Sequence, residues 1–248
     1  MNASARAAPL AFVLGLLAAF AAVWTALALA PWYREDWLLE NMLVFAALPL
    51  LAWGYRTLPF TRGTYACLFV FLVLHAIGAH YTYSEVPYDR AFEAVTGASL
   101  NALLGWERNH YDRMVHFLYG VLVTPAAIEI LQARATPRGL WRWLLPVCFM
   151  MSHSVLYEMI EWLAAEVFGG DLGQAYLGTQ GDVWDAHKDM ALASLGALIT
   201  MGLTAVINWR LQRDFAREWV ESLRVKHKAP LGEDEIAASQ HHGRIRPG

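Results

Sequence analysis

The sequence predicts an all-α, polytopic transmembrane bundle. Three observations carry this. Hydrophobic residues make up 57% of the 248-residue chain and charged residues only 17%, where a soluble domain has about a quarter charged. The apolar residues fall in blocks approaching the ~20 residues that cross a bilayer core. The charges between the blocks alternate in kind along the chain.

About six spans follow, at residues 10–30, 37–54, 64–83, 111–131, 141–168 and 190–209. Pro49 interrupts the second. The fifth is long enough to tilt or protrude. For the first, Arg6, the apolar run and Ala28-Leu29-Ala30 also fit a signal peptide, but the run is longer than a usual signal core and favours a retained anchor. Together, residues 1–209 are expected to form the bundle, and 210–248 a basic, then polar cytoplasmic tail, disordered at its end.

Loop charge sets the expected orientation. Arg6, the pair Arg56 and Arg62, the set Arg134, Arg138 and Arg142, and the tail from Arg210 to Lys228 are the basic segments. Between them lie Glu35 and Asp36, then Glu85, Asp89, Glu93 and Glu107, then Asp171, Asp182 and Asp185. This alternation predicts a multi-pass membrane protein with both termini in the cytoplasm. The loop at 84–110 is either an ordered connector or a surface helix with Phe92, Val95, Leu100, Leu103, Leu104 and Trp106 on its apolar side.

Cys67 and Cys148 lie in apolar stretches without metal-ligand spacing and read as buried small hydrophobes. No basic stripe lies outside the tail, and no nucleic-acid motif is present, so no nucleic-acid partner is expected.

Ionisable groups at membrane depth are costly and usually functional or paired. Here they share one predicted side. Glu40 and Asn41 open the second span, and His75 and His80 lie toward the end of the third. Asp112 and His116, four apart on one helical face, open the fourth. His153, Tyr157, Glu158 and Glu161 rise through the fifth, and Asp185, His187, Lys188 and Asp189 lead into the sixth.

Carboxylates gathered this way need a cation, protons or basic partners. Imidazole with carboxylate suits zinc, manganese, iron or magnesium. The expected metal ligands are His80, Asp112, His116, Glu158 and Asp189. Glu161, Asp185 and His187 are expected as general acid/base groups, and Arg113, Lys188 and Tyr157 as substrate-binding. His75 and His153 read more readily as structural hydrogen-bonding groups, and Glu129 as a partner of Arg134.

At these residues the chain resembles a known family. The strings 110–117 (HYDRMVHF), 157–162 (YEMIEW) and 178–185 (GTQGDVWD) resemble the YjdF-like inner-membrane family, a domain of unknown function, over about residues 35–210. A more distant likeness is to the VanZ-like superfamily. Asp112, Arg113, His116, Phe117, Glu158, Asp185 or Asp189, and Gly196-Ala197 are the matching positions, with glutamine more usual there at Glu161. That likeness implies cell-envelope biology without a reaction. Gly-x-Ser-x-Gly and His-Glu-x-x-His are absent, as is the full aspartate pattern of CDP-alcohol phosphotransferases.

The residues therefore lead to a metal-dependent hydrolase or transferase acting on a lipid or lipid-linked envelope substrate within the bilayer. The alternatives are a proton- or cation-coupled transporter, and a non-catalytic assembly or resistance factor.

Overall fold

The computed structural model describes residues 7–170, 173, 177–211 and 220–223, and these are helical throughout apart from their connections. Six long helices match the six expected spans: α1 (Leu10–Ala28), α2 (Arg34–Thr57), α3 (Arg62–Tyr81), α6 (Tyr111–Arg134), α7 (Leu140–Phe168) and α8 (Asp185–Leu211). Arg6, Asp171 and most of the expected tail lie outside the described residues. Within the tail's described part, Ser222 Oγ accepts the Leu140 N–H at 2.9 Å and so caps α7.

The helices run past the apolar blocks at their polar ends. Glu35 and Asp36 occupy the first turn of α2, where acids favour a helix N-terminus. Asp185 opens α8, five residues ahead of its apolar run. The loop at 84–110 contains a one-turn 3₁₀ segment (Tyr83–Glu85), α4 (Tyr88–Thr96) and α5 (Leu100–Leu104). Gly97, at φ 78°, ends α4. Val95, Leu103 and Leu104 are exposed there, as a helix on the membrane surface requires.

The α6–α8 pair is the centre of the bundle. α3 joins it through α6 and carries α1 and α2 on its other sides, while α7 packs on both α6 and α8. Two glycines set the α6–α8 approach. A Cβ at Gly120 would lie 2.0 Å from the Ala193 carbonyl oxygen, and one at Gly196 would lie 2.2 Å from that of Phe117. Small residues are what let membrane helices approach so closely. Pro125, lacking an N–H, leaves the Val121 carbonyl without its helical donor. The Thr200 hydroxyl of α8 donates to that carbonyl at 3.2 Å.

Buried polar contacts tie in the outer helices. Asn41 is fully buried, accepts the Trp24 indole N–H at 2.5 Å and donates to the Trp37 carbonyl at 2.7 Å, linking α1 to α2. Glu129 does not pair with Arg134. Its carboxylate accepts the Thr61 N–H (3.0 Å) and the hydroxyls of Thr61 (2.8 Å) and Thr64 (2.6 Å), capping α3. The expectation failed because proximity in sequence said nothing of α3's N-terminus lying alongside. Cys148 is exposed on α7 rather than buried, and Cys67 is half-buried.

Candidate functional site

One end of the bundle gathers most of the polar residues singled out above. α6 contributes Asp112 and His116 from its first two turns, and α8 contributes Asp189 from its second. Ligand atoms of these three lie within 4.8 Å of one another. The close approach of α6 and α8 one turn further along sets that distance. α7 adds Glu158. The His116 ring lies between two acids, with Nε2 3.5 Å from Asp112 and Nδ1 3.7 Å from Glu158. The Tyr157 ring meets His116 edge-on at 5.9 Å. Glu161, one turn beyond Glu158, interacts with the Glu158 carboxyl and accepts a hydrogen bond from Tyr157.

Glu40 of α2 is buried and faces the same cluster, with Asp112 its strongest electrostatic neighbour. Among the described residues, Glu40 Oε2, Glu158 Oε1 and Asp189 Oδ1 are buried without a hydrogen-bond partner. Buried carboxylate oxygens without a hydrogen-bond donor are costly in hydrocarbon unless a cation or a proton meets them, and for Glu158 Oε1 the His116 ring at 3.7 Å is one such neighbour. The donor set of one imidazole and three carboxylates fits a divalent cation of the zinc, manganese or iron kind.

A second group lies beside the first, where three cations, Arg108, Arg113 and Lys188, meet two acids, Asp182 and Asp185. Asp185 receives Arg108 at 2.9 Å and Arg113 at 3.0 Å. Asp182 receives Arg113 and also Lys188, the latter at 2.5 Å. The Lys188 hydrogen bond, the Trp184 backbone N–H and the Arg113 hydrogen bond hold the Asp182 carboxyl well below the usual carboxylate range. Gln180 adds a two-way clasp: its amide donates to the Asn109 carbonyl and accepts the Asn109 N–H, both at 3.1 Å. Arg108 also donates to the Thr179 carbonyl at 2.9 Å. The segment at 178–185 is thereby latched to the start of α6, and α8 begins where the latch ends.

The expected residues divide accordingly. Asp112, His116, Glu158, Glu161, Asp189 and Tyr157 converge. Asp185, Arg113 and Lys188 lie next to them, engaged in the latch. His80 does not converge: its Nδ1 is 2.7 Å from the Leu27 carbonyl, on the α3 face turned to α1. His187 is exposed and stacks edge-on to Trp184 at 5.2 Å. Depth in the membrane was readable for both, but not the side of the helix each would occupy.

His75 and His153 are each hydrogen-bonded within the bundle. His75 donates from Nε2 to the Glu40 carbonyl at 3.0 Å, so its Nδ1 accepts the Tyr83 hydroxyl. Burial, then the Glu40 charge, pushes the Tyr83 hydroxyl well above its ordinary value, which keeps that proton in place. His153 meets the Tyr119 hydroxyl at 2.6 Å. Gln180 and Asn109 were not foreseen as contributors, since they act through each other across 71 residues of sequence.

From the cluster a groove of about 910 Å³ runs down the bundle between α2 and α7, with α3 and α6 as its floor. Its lining is mostly apolar, with Leu51, Leu72, Val123 and Phe149 among the wall residues, and His75, Tyr119, His153 and Ser154 as polar members between its ends. Asp112, His116, Tyr83 and Tyr157 line its polar end.

Comparison with known proteins agrees with this architecture. A family model described as predicted membrane protein (DUF2238) matches residues 12–210. The inner membrane protein YjdF of Escherichia coli (strain K12) is 36% identical over 183 residues, covering 73% of this chain and 83% of that protein. No solved structure matches. With both the family model and the relative spanning most of its length, the chain belongs to the DUF2238 family, as a multi-pass protein of the inner membrane.

Proposed function

We propose that the protein is a metal-dependent hydrolase or transferase acting on a lipid or lipid-linked envelope substrate. The observation that carries this reading is the convergence of Asp112, His116 and Asp189 within 4.8 Å, with a buried Asp189 oxygen that has no hydrogen-bond partner. Asp112, His116 and Asp189 hold a divalent cation, and Glu158 completes or flanks its shell. The loop charges orient this end of the bundle outward, with both termini in the cytoplasm.

When bound, the cation would polarise a phosphoryl or acyl oxygen and acidify a water. Glu161, hydrogen-bonded by Tyr157 and next to Glu158, is placed to take and return a proton. Arg108, Arg113 and Lys188 neutralise Asp182 and Asp185, so those two acids do not compete for the cation. Asp185 is therefore a positioning group in this reading, and His80 and His187 take no part.

The transport alternative needs polar groups continuing across the membrane. Below Ser154 and the bonded Tyr119–His153 pair the groove walls are apolar down to Thr57 and Arg134, which favours the enzyme. The test is head-group release from a total membrane-lipid extract by the purified protein. The reading expects release abolished by a chelator, restored by zinc or manganese, and absent in Glu161→Gln. Proton flux in proteoliposomes that Glu158→Gln abolishes, with no chelator-sensitive release, would overturn it in favour of transport.

A further inference from the structure

We infer that the groove between α2 and α7 is the binding site for a single long hydrocarbon tail, entering sideways from the bilayer with its head group at the Asp112–His116–Asp189 cluster. The head-group half of this inference rests on the reading above; the tail half stands on the groove itself.

Three features identify the occupant. First, α2 leans on α3 while α7 leans on α6 and α8, so the groove between them opens to whatever surrounds the bundle. The lips are bare apolar side chains, Leu50 and Trp53 on α2 and Leu156 and Ile160 on α7. In a chain of six apolar spans, that surrounding is lipid.

Second, the groove lining reaches from Leu43 to Thr57 on α2, a rise of roughly 21 Å at ~1.5 Å per residue. One leaflet's share of the hydrocarbon core is about 15 Å, half of ~30 Å. A tail that follows the groove thus passes the midplane, which suits one extended chain. Third, between its ends the groove lining is apolar apart from His75, Tyr119, His153 and Ser154, and His75, Tyr119 and His153 are already hydrogen-bonded within the protein. The cluster closes one end, and Thr57 and Arg134 mark the other. A buried acid cluster holding a divalent cation is complementary to an anionic head group such as a phosphate monoester, which matches an amphiphile lying along the groove.

Gly54 supplies a clean way to test this. It lines the groove, and a Cβ added there meets nothing within 4 Å. Gly54→Trp therefore fills the groove without pressing on the helix packing. Ala47→Trp, two helical turns nearer the cluster on the same wall, is the second filler.

The probe is a long-chain alkyl phosphate with a mid-chain diazirine, photolysed with the full-length protein in phosphatidylcholine vesicles. Labelled sites are read by peptide mass spectrometry, with bound metal measured in the same preparation. The inference expects label concentrated on α2 and α7 groove residues at several-fold the yield on Leu14 and Leu17, which face outward on α1. It expects that excess to vanish in Gly54→Trp and Ala47→Trp. Asp112→Asn should keep the groove label while losing metal. Equal label on α1 and the groove, or groove label indifferent to both fillers, would overturn the tail site. Groove label retained with no metal in wild type would leave the tail site standing and sink the metal reading alone.

Discussion

Replacing Gly120 with alanine should pull the cluster apart from one helical turn away. The added Cβ would meet the Ala193 carbonyl oxygen at 2.0 Å, and ordinary van der Waals contact begins at 3.4 Å. The obstacle is backbone, so no side chain can swing aside, and α6 and α8 must separate by about 1.4 Å, the difference of those two distances. His116 is one turn before Gly120 on α6, and Asp189 is one turn before Ala193 on α8. Both ligands therefore sit close to the forced gap. Metal–ligand distances tolerate only about ±0.2 Å, so a displacement several times larger should cost at least tenfold in cation affinity. Overpacking of this kind destabilises by roughly 1–3 kcal/mol. Gly196→Ala, which meets the Phe117 carbonyl oxygen at 2.2 Å, should behave alike. Gly202→Ala, on the same helix with nothing within 4 Å, is the control. It should be neutral or slightly stabilising, because alanine is the better helix former. The assay is thermal unfolding in detergent with zinc or manganese titration. Wild-type stability and affinity in Gly120→Ala would refute the claim that the α6–α8 approach holds the site.

Other consequences are as direct. Thr200→Val keeps the shape of the side chain but strips the Val121 carbonyl of its cross-helix donor; a loss of about 0.6–1.7 kcal/mol is expected, read as a lowered unfolding temperature. Glu129→Ala removes three hydrogen bonds at the α3 N-terminus and should cost about 1–3 kcal/mol without changing cation binding, since it lies at the opposite end of the bundle. The latch should outlast mild acid. Its Asp182 carboxyl is held below the ordinary range, so its stabilising contribution is complete above the unfolded value near ~3.9 and is lost only as pH falls through the lower folded value. Hydrogen exchange at residues 178–184, corrected for intrinsic rates, should be unchanged from pH 7 to pH 5, and faster at pH 7 in Asp182→Asn. Loosening between pH 7 and 5 in wild type would show that Asp182 does not carry the latch.

The spans were legible because apolar blocks of membrane-crossing length admit few other readings. Their ends were less so. An apolar window stops at Met190, yet α8 begins at Asp185 because that acid is paired with Arg108 and Arg113 inside the bundle rather than solvated in a loop. The gathering of Asp112, His116, Glu158 and Asp189 followed from membrane depth plus helical spacing. Depth does not fix azimuth, which is why His80 turns to α1 and His187 turns outward. The latch was out of reach for another reason. Gln180 and Asn109 are paired by loop geometry, with Gln180 at φ 47°, and nothing in the local sequence marks such a partner. Glu129 shows the opposite error, where a near neighbour in sequence was preferred to the helix terminus that claims it.

The central claim is that Asp112, His116 and Asp189 hold a divalent cation. The most direct measurement is the metal content of protein purified in mild detergent without chelators, by mass spectrometry, beside an Asp112→Ala/His116→Ala variant shown to be folded. Near-stoichiometric zinc, manganese or iron in the wild type, and none in the variant, is the result the account predicts. Folded wild-type protein without metal, and unable to take up any of the three on titration, would contradict it.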